Sequence, residues 1–276
     1  MNLIVQGPAA TAAQAAELAG MTGATRAEPL GPHAFRIVNA ENKDAIAAWC
    51  AERRLDHAWV PPGRRFERLK LLAMDMDSTL ITIECVDELG AFVNKKPEIA
   101  EITERAMRGE IDYPESLRRR VALLAGLEEQ ALREVYDEKL RITPGAEALI
   151  EKCRRHNVKL LLVSGGFTFF TERLRERLGF DDTISNVLEI DAGRLTGKVL
   201  GSIVDAGAKA AKFRQLAQRL GASREQTVAI GDGANDLLMM AEAGVSVAFH
   251  AKPAVRAKAT HALDHSGLDG VLHLFE

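Results

Sequence analysis

The chain has 276 residues, of which 47% are hydrophobic and 27% charged, and its formal net charge is -3 at pH 7. This length suits one large domain or two smaller ones, and the composition is that of a globular protein with a full core. The near-neutral charge supplies no basic field for nucleic acid, and no apolar run approaches the roughly 20 residues of a membrane span. Residues 1–20 lack a signal-peptide pattern, and the three cysteines (Cys50, Cys85 and Cys153) are too widely spaced for a disulfide framework. We therefore expect a cytoplasmic protein, most simply an enzyme, that binds neither nucleic acid nor a membrane.

The first 66 residues have a pattern of their own, which predicts a small N-terminal α+β domain. Its elements are predicted in the order strand, helix, strand, strand, helix, strand, at residues 3–5, 9–21, 25–29, 34–38, 43–54 and 57–60. This order is typical of a ferredoxin-like or ACT-type domain. Residues 61–65, with the sequence PPGRR, are predicted to be a linker.

From residue 67 onward, strands alternate with helices. Apolar segments at residues 71–74, 159–163, 226–230 and 245–249 are predicted as four buried strands, and a hairpin is predicted over residues 186–200. Helical patterns lie between these strands. The alternation predicts an α/β fold with a doubly wound, mainly parallel, Rossmann-like sheet and helices on both faces.

A long segment between the first two strands of this sheet, at about residues 85–142, contains no predicted strand. It carries four helical patterns, at residues 86–93, 97–108, 114–124 and 128–139. Four helices are too many for one crossover connection between parallel strands. We therefore predict an inserted helical cap that covers the strand ends, within a core domain of residues 67–276.

The first strand of the sheet ends on two carboxylates, Asp75 and Asp77. Open α/β sheets place their active sites at the carboxyl ends of their strands. Two acids held close together suit a division of labour between a nucleophile and a general acid/base. Taken alone, the same residues could equally form a strand-to-helix turn with capping side chains.

A second strand end carries two more acids, Asp232 and Asp236, in the sequence GDGAND at residues 231–236. Carboxylates that converge without histidine or cysteine suit a hard, oxygen-ligated cation such as Mg²⁺. The alternative for this segment alone is a glycine-rich turn with a helix cap.

A third strand end, Ser164 followed by Gly165 and Gly166, precedes a predicted helix and offers a hydroxyl and free backbone N–H groups to an anion. Lys209, at the start of another helix, could supply the cation that a phosphate needs, although a lone lysine is more often solvated at the surface. Together, these parts describe phosphoryl transfer through an aspartyl-phosphate.

The four segments resemble, in order, the motifs of the haloacid dehalogenase superfamily of phosphatases. They are DMDSTL at residues 75–80, SGG at 164–166, Lys209, and GDGAND at 231–236. Further segments are similar to those of the phosphoserine phosphatases, namely Glu84, YPESLRRRV at 113–121, RITPG at 141–145, VSGGF at 163–167 and AKP at 251–253. The resemblance begins at about residue 68, so the N-terminal domain lies outside it.

The resemblance implies roles for the strand-end residues. Asp75 would attack phosphorus, and Asp77 would protonate the leaving oxygen and then activate the hydrolytic water. Ser164, the Gly165 amide and Lys209 would hold the phosphoryl group. Mg²⁺ would be held by Asp75, the main-chain carbonyl of Asp77 and Asp232, with Asp236 supporting the site and Asn235 lining it.

The resemblance also assigns residues of the cap. Glu84 would meet the substrate ammonium and Arg120 its carboxylate, while Met107 and Tyr113 would line the pocket. A phenylalanine is familiar at the position of Tyr113, so the tyrosine is a mild departure. From the residues alone, Arg120 cannot be distinguished from its neighbours Arg118 and Arg119, because such a charge run is usually a solvated helix face.

The function implied is Mg²⁺-dependent hydrolysis of O-phospho-L-serine to L-serine and phosphate, the last step of serine biosynthesis. One alternative is transfer of the phosphoryl group to another alcohol such as homoserine, and another is a non-catalytic amino-acid sensor. An ACT-like N-terminal domain could bind serine or mediate a homodimer, or serve as a stabilising appendage. The four C-terminal histidines (His250, His261, His265 and His273) fit no metal-ligand spacing and are predicted to lie at the surface or in caps.

Overall fold

The structure is a computed structural model that describes residues 1–108 and 110–276, apart from the side chain of Met107. The N-terminal region forms a four-stranded antiparallel sheet with two helices, in strand order β2-β3-β1-β4. The predicted element order is confirmed, and the sheet order is that of the ferredoxin-like fold. The elements are β1 (Asn2–Gln6), α1 (Ala12–Thr22), β2 (Arg26–Gly31), β3 (Ala34–Val38), α2 (Ile46–Glu52) and β4 (Asp56–Val60).

Strand β1 is buried on both faces. Leu3 and Val5 pack with Leu18 of α1 in a core of the N-terminal sheet and its helices. Ile4, which points the other way because successive strand residues alternate, belongs instead to the core of the large domain with Phe66. The N-terminal sheet is therefore packed between its own helices and the rest of the protein.

The second sheet has seven strands in the order β11-β10-β9-β5-β6-β7-β8. All neighbouring pairs are parallel except β7 with β8, which confirms the mainly parallel α/β fold. The first strand, β5, lies in the middle, so the chain winds outward on either side of it and leaves a crevice at the carboxyl ends of the strands. The strands are β5 (Leu71–Asp75), β6 (Lys159–Phe167), β7 (Asp182–Asp191), β8 (Arg194–Leu200), β9 (Thr227–Gly231), β10 (Val245–Phe249) and β11 (His261–Leu263).

The four predicted core strands and the predicted hairpin are confirmed, but the sheet is larger than these elements indicated. Strand β7 is longer than predicted and pairs in parallel with β6, so the hairpin extends the main sheet. Strand β11 has only three residues, too few to show an alternating pattern in the sequence. Helices flank the sheet: α7 (Ala146–Arg155), α8 (Thr168–Leu178), α9 (Ala206–Arg219), α10 (Leu237–Glu242) and α11 (Pro253–Arg256).

The insert after β5 is helical, as predicted. It contains α3 (Cys85–Phe92), α4 (Lys96–Met107), α5 (Tyr113–Ala122) and α6 (Gln130–Glu134), the last followed by a π-helical turn at Val135–Lys139. Its two connections to the core pair with each other, because Thr82 N donates to Arg141 O and Thr143 N donates to Leu80 O. The cap therefore leaves and re-enters the core at adjacent points.

Two aspartates cap the helices that carry candidate site residues. Asp112 accepts a hydrogen bond from Glu115 N at 2.8 Å at the start of α5, and Asp205 accepts one from Ala208 N at 2.9 Å at the start of α9. Each carboxylate satisfies an N–H group that has no partner within its helix. These caps fix where Tyr113 and Lys209 begin their helices. None of the described helices is both long and apolar enough to cross a membrane.

Chain segments more than 200 residues apart in sequence join the N-terminal sheet to the large domain. The Asp56 carboxylate accepts backbone N–H bonds from Asp264, His265 and Ser266, at 2.7 to 3.2 Å. Gln6 Nε2 donates to Gly270 O at 3.1 Å. Together with the packing of Ile4, these contacts form the buried interface between the N-terminal sheet and the large domain.

The prediction that His261 lies at the surface or in a cap was wrong. His261 is only 9% exposed, and its Nε2 lies 2.8 Å from Nη1 of Arg64. A guanidinium can only donate, so Nε2 must keep its lone pair and the ring must be neutral. Burial, and then the charge of Arg64, lowers the pKa of His261 to about 4. Among the other three histidines, His250 is exposed and His273 contacts the Gln6 side chain.

We expect His261 to make the protein sensitive to acid. Its pKa in the folded state lies below the ordinary 6.5, so its contribution to stability is present above about pH 6.5 and is lost as the pH falls toward 4. Between pH 7 and 4.5 this loss should be about 2 kcal/mol in the free energy of unfolding, measured by urea denaturation. His261→Asn, which keeps an acceptor for Arg64 without titrating, should lose correspondingly less. His250→Asn is the control, and an unchanged pH dependence in His261→Asn would contradict the assignment.

Candidate active site

Asp75 is the last residue of strand β5 and lies at the crevice, where its side chain is almost fully buried. After it the backbone turns sharply, with Asp77 extended and Ser78 at a φ of 54°, a conformation that non-glycine residues seldom adopt. The turn is closed by Cys85 N, which donates to Asp77 Oδ1 at 2.9 Å. Burial raises the pKa of Asp77 and this hydrogen bond opposes the rise. The two acids therefore stand side by side at one strand end.

Lys209 is fully buried in the first turn of α9, not solvated at the surface. Its Nζ donates to Asp75 Oδ1 at 2.5 Å and to Asp236 Oδ1 at 2.8 Å. Burial alone would lower the pKa of Lys209, but the carboxylates of Asp236 and Asp75 outweigh it and raise the pKa. The lysine therefore stays charged, and burial, which raises the pKa of Asp75, is opposed there by the same ammonium.

Strand β9 is the neighbour of β5, which brings the second acidic segment to the same place. Carboxylate oxygens of Asp75, Asp232 and Asp236 all lie within 4.8 Å of one another. Burial, and then the nearby Asp236, raises the pKa of Asp232 to about 6. Three crowded carboxylates that share one ammonium carry excess negative charge, and an all-oxygen donor set suits a hard cation. The residues present thus fit a divalent cation.

Strand β6 continues through Ser164, Gly165 and Gly166, so these residues form the end of a strand and not a separate loop. Gly166 N donates to Ser164 Oγ at 2.8 Å, and Ser164 Oγ donates to Asp77 Oδ2 at 3.3 Å. A Cβ at Gly166 would lie 2.8 Å from Asp77 Oδ2, and one at Gly165 would collide with the Tyr113 hydroxyl. Both glycines are therefore required by the close approach of neighbouring side chains.

Glu84 lies at the entrance to the cap and is directed at the catalytic turn. It accepts a hydrogen bond from Ser78 Oγ at 2.7 Å. Burial, together with the charge of Asp77, raises the pKa of Glu84 to about 8. An acid in this position would be stabilised as a carboxylate by a positively charged ligand group.

Tyr113 connects the cap to the core, because its hydroxyl donates to the carbonyl of Gly165 at 2.9 Å. Burial raises the pKa of Tyr113 to about 12, so the hydroxyl keeps its proton and acts as a donor. A phenylalanine could not make this bond, so the departure from the familiar residue has a structural use here.

Arg120 is 8% exposed, while Arg118 and Arg119 of the same run are exposed. Its guanidinium lies 6.0 Å from the centre of the Tyr113 ring, and its Nε is buried without a hydrogen-bond partner. A buried donor left unpaired is costly, so this nitrogen is free to bind an acceptor supplied by a ligand.

Two further residues, Asn235 and Met107, are predicted to line the site. Asn235 is half-buried on the 3₁₀ turn Ala234–Asp236, and the side chain of Met107 lies outside the described part of the chain. Sequence reasoning missed Asn186 of β7, which is 1% exposed and donates from Nδ2 to the Gly165 carbonyl at 2.7 Å. Its neighbours in sequence give no signal of this role, because the partner is 21 residues away.

We expect Lys209→Met to destabilise the fold by about 3–5 kcal/mol at pH 8, because it leaves Asp75 and Asp236 buried without their counter-charge. The loss should shrink at pH 5, because burial raises the pKa of Asp75 and this carboxyl can take up a proton instead. Urea unfolding with a chelator present measures it. Lys212→Met is the matched control, since this more exposed lysine pairs with Asp182 and should cost less than about 1 kcal/mol. Equal losses of unfolding free energy in the two variants would show that the buried ion pairs contribute no more to stability than the more exposed one.

Comparison with known proteins places this geometry in a family. The model of haloacid dehalogenase-like hydrolases matches residues 72–241, and a domain of unknown function matches residues 3–46. The chain is 52% identical over 220 residues to a phosphoserine phosphatase of Albidiferax ferrireducens, covering 78% of this chain and 93% of that one.

Two solved structures superpose over nearly the whole chain. A probable phosphoserine phosphatase from Vibrio cholerae gives a TM-score of 0.86 at 39% identity, covering 99% of this chain and 85% of the other. A hydrolase of the same family from Salmonella enterica gives 0.88 at 28% identity, covering 100% and 98%. With the family model spanning the strand-end acids, Ser164 and Lys209, the chain belongs to the haloacid dehalogenase-like hydrolases.

Proposed function

We propose that the chain is a Mg²⁺-dependent phosphoserine phosphatase, which hydrolyses O-phospho-L-serine to L-serine and phosphate through an aspartyl-phosphate. The observation that carries the proposal is the position of Arg120. A buried guanidinium with an unpaired Nε stands beside Tyr113, whose hydroxyl contacts the phosphate-binding strand end. The close identity to curated phosphoserine phosphatases supports the same conclusion.

In the first step, Asp75 acts as the nucleophile. Its ion pair with Lys209 favours the carboxylate form, and its Oδ attacks phosphorus while the bond from phosphorus to the serine oxygen breaks. Asp77, whose pKa is raised by burial, donates a proton to the leaving oxygen. Serine leaves as the neutral alcohol, and Asp75 carries the phosphoryl group.

In the second step, the ionised Asp77 takes a proton from water as the water oxygen attacks the phosphorus carried by Asp75. The bond between phosphorus and the Asp75 oxygen breaks, which releases phosphate and restores the nucleophile. Asp77 is held for both steps by Cys85 N, which donates to its Oδ1 and leaves Oδ2, beside Ser164 Oγ, to carry the proton. The same residue can therefore serve as acid and then as base without moving.

The phosphoryl group would be bound by the hydroxyl of Ser164, the amide of Gly165 and the ammonium of Lys209. Mg²⁺ would be held by Asp75, the main-chain carbonyl of Asp77 and Asp232, with Asp236 supporting the site through its bond to Lys209. When bound, the cation offsets negative charge on the phosphoryl oxygens.

The other end of the substrate would be recognised by the cap. Glu84 would pair with the ammonium of phosphoserine, and Arg120 would bind its carboxylate through bidentate hydrogen bonds. Tyr113, Met107 and Asn235 would line the space between these groups and the phosphate.

We also propose a division into an N-terminal domain (residues 1–66) and a phosphatase core (residues 67–276) with the cap at residues 85–142. A cytoplasmic location is supported by three buried, free cysteines, which suit a reducing compartment. A homodimer is proposed through the N-terminal domain, where β2 forms an edge of the sheet. Neither nucleic acid nor a membrane is proposed as a partner.

A panel of phosphomonoesters tests the proposed activity. With Mg²⁺, L-phosphoserine should be hydrolysed with a kcat/KM at least tenfold above that for phosphothreonine or phosphoglycolate, a difference of about 1.4 kcal/mol or more. A chelator should abolish turnover. Asp75→Asn should lose roughly 10³-fold or more in kcat, because the amide cannot act as nucleophile.

Three outcomes of the panel would overturn the proposal. Turnover by Asp75→Asn near the wild-type rate would remove the nucleophile assignment. With homoserine added, phosphoryl transfer far exceeding phosphate release would identify a phosphotransferase. A properly folded wild-type chain with no turnover of any ester would favour a non-catalytic amino-acid sensor.

Arg120→Ala should damage recognition of phosphoserine far more than the phosphoryl chemistry. Loss of the bidentate, charge-assisted hydrogen bonds to the carboxylate should lower kcat/KM for phosphoserine by roughly 10²-fold. The value for p-nitrophenyl phosphate, which has no carboxylate, should change less than threefold. Arg118→Ala, in the same run but exposed, is the matched control and should leave both substrates unaffected. Equal losses on both substrates would make Arg120 structural.

A further inference from the structure

The carbonyl of Gly165 accepts two hydrogen bonds from side chains that belong to different parts of the fold. One donor is Nδ2 of Asn186, at 2.7 Å, and the other is the hydroxyl of Tyr113, at 2.9 Å. Asn186 lies on β7, beside β6, and is 1% exposed. Both donors thus hold the same peptide group at the end of the phosphate-binding strand.

The oxygen of the Asn186 side-chain amide is hydrogen-bonded as well. Its Oδ1 accepts a hydrogen bond from Val204 N at 2.8 Å. A backbone N–H requires an acceptor and a backbone carbonyl requires a donor, so these two partners fix which end of the amide faces Gly165. The start of α9 is held separately by its Asp205 cap, so the Val204 bond serves to orient Asn186.

A planar trans peptide transmits this constraint to the catalytic residues. The carbonyl of Gly165 and the N–H of Gly166 belong to one peptide unit and point in opposite directions. With the carbonyl held toward Asn186, the N–H is directed at Ser164 Oγ, to which it donates at 2.8 Å. The Ser164 hydroxyl then directs its own proton to Asp77 Oδ2, at 3.3 Å.

We propose that Asn186 is a positioning residue for phosphoryl transfer, which acts through the Gly165–Gly166 peptide to fix the Ser164 hydroxyl beside Asp77, from where its one proton can turn to a phosphoryl oxygen. The proposal rests on the proposed function for its substrate. It adds a residue outside the four motifs, on a strand that contributes no other side chain to the site described above. Without Asn186, the peptide can rotate and the Ser164 hydroxyl loses its fixed direction.

A double-mutant cycle between Asn186→Ala and Ser164→Ala tests the proposal. In the wild-type background, Asn186→Ala should lower kcat/KM roughly 10- to 100-fold, the range expected for coupled neighbours. In the Ser164→Ala background, the same change should cost less than threefold, because the group it positions is already gone. A residue with only a structural role would cause the same loss in both backgrounds, and that result would overturn the proposal.

Ser185→Ala is the matched control, because it breaks a neighbouring side-chain bond of β7, from Ser185 Oγ to Thr171 Oγ1 at 2.7 Å. Ser185→Ala should lower the Tm about as much as Asn186→Ala does, while its kcat/KM stays within threefold of the wild-type value. A loss of activity equal to that of Asn186→Ala would show that loosening β7 is sufficient, against the proposal. If Asn186→Ala does not fold, the cycle is run with Asn186→Ser, whose shorter side chain cannot reach both partners.

The cycle is measured with p-nitrophenyl phosphate as well as phosphoserine. The aryl ester needs the phosphoryl-transfer residues but neither Glu84 nor Arg120. Coupling with the aryl ester in an enzyme that ignores phosphoserine would support the role of Asn186 and refute only the proposed substrate. Additive losses in an enzyme that prefers phosphoserine would refute only the role of Asn186.

Discussion

The active site depends on one buried ammonium. Lys209 is enclosed between Asp75 and Asp236, and an ion in that position is tolerable only with both partners in contact. Its partners come from strand β5 and from the turn after β9, while the lysine itself comes from α9. The three elements must therefore be in register before any of the charges can be buried. The pairing that offsets part of the buried charge also fixes the position of Asp75, so the same residues stabilise the fold and shape the site.

Around this ion pair, the polar groups form a continuous set of contacts from the core to the cap. Tyr113 reaches from α5 to the carbonyl of Gly165, and Glu84 reaches back from the cap entrance to Ser78. Arg120 is the member of the set whose Nε lacks a partner within the described chain. A buried donor without a partner can bind an acceptor supplied by a ligand, which is how a site can bind its ligand selectively.

Much of this site could be predicted, because strand ends are visible in a sequence. An apolar run that stops at Asp75, Ser164 or Asp232 marks the carboxyl-terminal part of a strand, and parallel strands bring such ends to one edge. What could not be predicted depends on distances through space. Arg120 differs from Arg118 only in which side of α5 it occupies, and the family motif was needed to choose it. Asn186 meets Gly165 across neighbouring strands, and the buried His261 owes its environment to Arg64, almost 200 residues away in sequence.

The buried interface between the N-terminal sheet and the large domain affects how the chain folds during synthesis. The N-terminal sheet can form its helix-covered face early, since β1, β3, α1 and α2 are all made within the first 52 residues. Its other face is covered in part by residues that the ribosome adds more than 200 residues later, among them the 264–266 segment bound by Asp56 and the Gly270 carbonyl bound by Gln6. Until then, the Asp56 and Gln6 side chains lack these partners. The N-terminal domain is therefore completed only after most of the large domain has been made, and before that its uncovered face can associate with other chains.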